Sequence, residues 1–83
     1  MRKQFRIIQV KEPMQHGSGK WSVACFTARG ICIAAWDFDA IQTITAAKVP
    51  FHLSCDCRIA PKGVSEQFGH HFWINNMYKI TIT

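Results

Sequence analysis

"WSVACFTARGICIAAWDF", residues 21–38, sets two runs of β-branched, aromatic and small apolar residues on either side of Arg29-Gly30. Two strand-like runs split by a short glycine-containing connection are a β-hairpin signature, so strands are expected over 21–28 and 31–38. In the first, Trp21, Val23 and Cys25 share one face, and Ser22, Ala24 and Phe26 the other. In the second, Ile31, Ile33 and Ala35 oppose Cys32, Ala34, Trp36 and Phe38. Large rings fall on both faces, so some must fill a core while others face outward.

Upstream, "KQFRIIQVKE" (3–12) is rich in β-branched and aromatic residues and is stopped by Pro13, which predicts a first strand. "MQHGSGK" (14–20) has the glycines and polar residues of a flexible turn. Downstream, "DAIQTITAAK" (39–48) changes character: Asp39 can cap a helix, Gln42 follows three residues later, and Ile41 and Ile44 share a face. Pro50 ends that helix because it forces the residue before it into an extended conformation.

From Phe51 the alternation is clean. Phe51, Leu53, Cys55, Cys57 and Ile59 fall on one side, with His52, Ser54, Asp56 and Arg58 on the other, which predicts a half-buried strand. Residues 61–69 read as a polar loop. "HHFWINNMYKITIT" (70–83) reads as one long strand, or as a tight hairpin turning at Asn75-Asn76.

The chain has 83 residues, which is room for one domain and one modest core. Its 48% hydrophobic and 18% charged composition belongs to a folded globule. No stretch approaches the roughly 20 uninterrupted apolar residues of a membrane span. Arg6, Gln9 and Lys11 interrupt the only N-terminal run that starts like a signal peptide. The expectation is a soluble cytoplasmic protein with reduced cysteines.

Cys55 and Cys57 point the same way as Phe51 and Leu53, so they read as core thiols. A structural zinc site wants four ligands, usually in Cys-x2-4-Cys pairs, and neither Cys55-x-Cys57 nor Cys25 and Cys32 has that spacing. No metal or other cofactor is expected. His70 and His71 are adjacent and on a strand would face opposite sides. With few acids, no nucleophile elbow and no phosphate-binding glycine loop, the chain does not read as an enzyme.

Ten Lys and Arg against five Asp and Glu give a net charge of +5, which favours an anionic partner. Three Trp, six Phe and one Tyr are interleaved with these cations, as Lys20-Trp21 and Tyr78-Lys79 show. Single-stranded nucleic acid is gripped by that combination: bases stack on rings while Lys and Arg neutralise phosphates.

The order strand, strand, strand, helix, strand, strand resembles the OB-fold, and the resemblance extends over nearly the whole chain. It rests on the glycine-containing 14–20 loop, the hairpin, the helix-like "DAIQTITAAK", the strand opening at "PFHLSC" and the polar loop before the last strand. It implies a mainly β domain over 1–83, a small five-stranded barrel with one short helix between its third and fourth strands. It also implies a binding surface on the second and third strands, bordered by two loops. Carried onto this chain, its residues are Lys20, Trp21, Phe26, Arg29 and Trp36, with Lys62 and His70 from the loop and Lys11 beside them.

The expected function is therefore non-catalytic binding of single-stranded DNA, or else RNA. Because the two loops carry little positive charge, a homodimer that pairs a sheet edge or apolar face would lengthen the binding surface. The rival expectation is a protein-interaction or inhibitor module, of the accessory kind carried by phages or mobile elements, with the aromatics as hot spots.

Overall fold

The computed structural model describes residues 1–82. In chain order its elements are β1 (Arg2–Ile7), β2 (Gln9–Val10), β3 (Met14–Gln15), β4 (Trp21–Phe26), β5 (Cys32–Ala35), α1 (Phe38–Ala46), β6 (Phe51–Ile59), α2 (Lys62–Phe68) and β7 (Phe72–Ile82). The protein is mainly β. The strands follow the path β1-β6-β7-β5-β4-β2, with β3 attached to β4. Every pairing is antiparallel except β5 with β7.

The expected five-stranded closed barrel with one helix is corrected. Among the described residues there are seven strands, whose path runs from β1 to β2 without closing, and two helices. The expected first strand divides because it changes partner. Ile7 lies opposite Phe51 of β6, whereas the Ile8 N–H donates to Phe26 O of β4 at 2.9 Å. The expected 14–20 turn contributes the short β3, and the expected 61–69 loop contains α2.

A β4–β5 hairpin forms, with Cys25 opposite Ile33 and Phe26 opposite Cys32, but its strands are shorter than the expected 21–28 and 31–38, and Phe38 falls in α1. Its connection closes through Thr27 N–H to Ile31 O at 3.0 Å, and Gly30 takes φ 83°, a left-handed conformation that favours glycine.

Helix α1 is capped by Asp37 and not by Asp39. Asp37 is extended, and its Oδ2 accepts from the Ala40 N–H at 3.1 Å. Asp39 instead sits in the first turn. Nine residues are too few for a helix to persist alone in water. Burial of Ile41 and Ile44 against the sheet holds it, at roughly 1.5–3 kcal/mol for each side chain.

On β6 the predicted alternation holds for Phe51, Leu53, Cys55 and Cys57, all buried. It fails at Ile59, which is 72% exposed because the strand's end outruns the core. The last strand is continuous, not a hairpin. Its register against β6 shifts between Ser54 and Cys55 and between Asp56 and Cys57, leaving Tyr78 and Asn75 as extra residues on β7. Such bulges bend and twist a sheet. All four cysteines are buried and free, and burial pushes the Cys25 and Cys55 thiols up to about 12.

Cys32 and Ala34 are also sealed, yet they sit opposite Phe26 and Ala24, on the side of the hairpin away from Cys25 and Ile33. A second layer covers them there. Phe68 and His70 close over Ser22, Ala24 and Phe26 around a void of about 100 Å³. The Cys32 N–H donates to His71 Nδ1 at 2.9 Å, and the His71 N–H returns to Cys32 O at 2.9 Å. Among the described residues no helix is long and apolar enough to cross a membrane.

Candidate nucleic-acid interface

The antiparallel hairpin sets the start of β4 beside the end of β5, and the parallel pairing of β5 with β7 sets Ala34 beside Trp73. Three tryptophans distant in sequence therefore line one open groove of about 480 Å³. Trp21 enters from β4, Trp36 from the residue after β5, and Trp73 from β7. Phe38, at the first turn of α1, completes the rings, while Lys20 and Arg58 supply the cations. Trp21 is 47% exposed and Phe38 67%, so both present ring surface to solvent.

The walls of the groove are braced by other rings. Trp36 and Trp73 meet edge to face, with centroids 5.1 Å apart. The Arg58 guanidinium lies over the Trp73 ring at 5.3 Å, so one side chain both stacks and carries charge. Behind Trp36 stands His16, 4.6 Å away, whose Nε2 is 2.7 Å from the Ser22 hydroxyl. Phe68 packs between His16 and His70, at 5.1 and 5.7 Å. The Trp73 indole N–H donates to His70 Nδ1 at 3.2 Å. Trp36 Nε1 is buried without a hydrogen-bond partner.

His70 is 4% exposed. Its placement on the outer surface is corrected: the ring lies inside, where it orients an indole. Burial, and after it the facing His16, lowers its pKa, and this keeps the imidazole neutral with Nδ1 free to accept.

Of the remaining expected residues, Lys20, Trp21 and Trp36 come together in the groove. Lys11 and Phe26 form a separate pair, with the ammonium 5.3 Å from the ring centre. Arg29, in the hairpin turn, lies with Lys3 and Arg6 in a different depression. Lys62 is exposed at the start of α2 and lines neither of these. Phe38, Arg58 and Trp73 are the aromatic and cationic groove residues that the expected set lacked. Arg58 carried a readable signal, since it alternates with the buried Cys57.

Chemically, the groove offers flat apolar rings, two cations and the Asn75 amide. The His16–Ser22 contact satisfies a hydroxyl that is itself buried. Among the described residues no three His, Cys, Asp or Glu side chains are grouped to hold a metal ion. No family model matches the chain, and no curated protein or solved structure matches it.

Proposed function

We propose that the protein binds single-stranded DNA, or RNA, without catalysing chemistry, and that it does so as an OB-like domain. The observation that carries this reading is the aromatic groove: Trp21, Phe38 and Trp73 beside Lys20 and Arg58. Bases would stack on the rings while the two cations neutralise phosphates. The OB-like reading draws support from strand order. β1 and β2 are separated only by Ile8 and stand at the two ends of the sheet path. Taken as one bent strand, and with the two-residue β3 left aside, they give five strands in an open path of order 1-4-5-3-2, with α1 between the third and fourth.

Quenching of tryptophan fluorescence by oligo-dT tests the reading. For an oligonucleotide short enough to fill the groove alone, binding should weaken with salt by a slope of about −1.4 for two neutralised phosphates, at about −0.7 each. Trp21→Ala, which removes an exposed ring, should cost about 1 to 3 kcal/mol of affinity, roughly 5- to 150-fold, and leave the fold intact. Absence of quenching at low salt would sink the proposal.

The exposure of Phe38 beside Trp21 also suits a protein partner that uses the same rings as a hot spot. If Trp21→Ala abolishes co-purification of a host protein while oligonucleotides never bind, that second reading replaces the first.

A further inference from the structure

We infer that the depression between β1 and the β4–β5 turn is a second phosphate-binding site, which holds the backbone of the same single strand after it leaves the aromatic groove. The inference rests on the aromatic-groove reading and extends it.

The site is built from three cations of separate origin. Lys3 and Arg6 come from β1 and Arg29 from the hairpin turn, and all three line one open depression of about 520 Å³. No Asp or Glu lines it. The ion pair among the described residues joins the N-terminal amine to Asp56 at 3.0 Å; Lys3, Arg6 and Arg29 have no acidic partner there, and the Lys3 ammonium instead lies 5.5 Å from the Phe72 ring centre. Grouping like charges is unfavourable unless an anion is received there. Thr27 and Gln4 add polar side chains at the same place, suited to phosphate oxygens.

Position ties this site to the first. β4 begins at Trp21 in the aromatic groove and ends at Phe26, next to Thr27 of the basic depression. A strand of that length spans roughly 17–20 Å. Lys11, whose N–H donates to Ala24 O partway along β4 and whose ammonium lies 5.3 Å from the Phe26 ring centre, adds a cation along that strand. A strand stacked on Trp21 and Trp73 would thus find its next cations at Lys11 and then at Arg29, Arg6 and Lys3.

The test compares oligo-dT of about 4 and about 16 nucleotides, the range of footprints of single OB domains. The triple variant Lys3→Gln, Arg6→Gln, Arg29→Gln alters exposed side chains only, and its circular dichroism and thermal midpoint verify that it folds. The short oligonucleotide should bind variant and unaltered protein within about twofold, because it fills only the aromatic groove. The long one should bind the variant less tightly, with a salt slope reduced by about 2, at about 0.7 for each lost phosphate contact. Equal loss for both lengths, or an unchanged slope for the long one, overturns the inference while the aromatic groove stands. Failure of the unaltered protein to bind either length overturns both.

Discussion

The indole N–H of Trp73 donates to Nδ1 of His70 across 3.2 Å, and this bond joins the groove wall to the buried layer behind it. An imidazole that accepts at Nδ1 carries its proton on Nε2 and is neutral. Protonation would turn both ring nitrogens into donors and set N–H against N–H.

Stability should therefore fall in mild acid. The groups facing His70 are His16 from the loop before β4, Phe68 from α2, Trp36 after β5 and Trp73 from β7. Burial, followed by His16, depresses its folded pKa below the ordinary value near 6.5. The native state then binds fewer protons than the unfolded state. The contribution is complete above about pH 6.5 and is lost as pH falls toward and through the folded value. The urea midpoint should drop between about pH 7.5 and about pH 5. His70→Gln, which keeps an acceptor but does not titrate, should flatten that drop. A variant with the unaltered pH dependence would remove His70 as its source.

Cys32 offers a thiol that reports on the outer layer. It is 1% exposed and lies outside the main core that holds Cys25, Cys55 and Cys57, and its N–H and C=O are both bonded to His71 of the 68–71 segment. α2 buries none of its residues, so the half-buried Phe68 ring, set against His16 and His70, is its anchor. Phe68→Ala should raise the reaction rate of one thiol per chain with an aromatic disulfide reagent. The other three should stay slow until global unfolding. The cost in stability should be less than the roughly 3–5 kcal/mol of a fully buried Phe→Ala change. Mass spectrometry of the labelled peptide checks that the reactive residue is Cys32.

These relationships differ in how far a linear reading reaches them. The hairpin and the alternation from Phe51 to Cys57 are legible because one face is core and the pattern repeats every two residues. α2 is not, since Gly63 and Ser65 are weak helix formers and no buried stripe marks its period. The division of the first strand at Ile8 depends on two partners far along the chain, β6 and β4. The meeting of Trp36 and Trp73 depends on the parallel β5–β7 contact, which local spacing does not encode. The inward turn of His70 follows from Phe68 packing beside it, a consequence of the helix that the polar composition of residues 61–69 conceals.

The start of α1 separates two aspartates that look equivalent in sequence. Asp37 is extended and its carboxylate accepts from the Ala40 N–H, satisfying one of the donors a helix leaves open at its first turn. Asp39 lies inside that turn, where its charge interacts with the helix dipole, an effect of about 0.3–1 kcal/mol that salt screens. Asp37→Ala should therefore cost about 1 kcal/mol, within the 0.5–2 kcal/mol range of lost caps, and Asp37→Asn close to nothing. Asp39→Ala should cost less than Asp37→Ala, and its cost should shrink with added salt. Urea denaturation of the three variants at low and high ionic strength measures this order. A larger loss at Asp39 would move the cap two residues along the chain and with it the first turn that carries Phe38 into the aromatic groove.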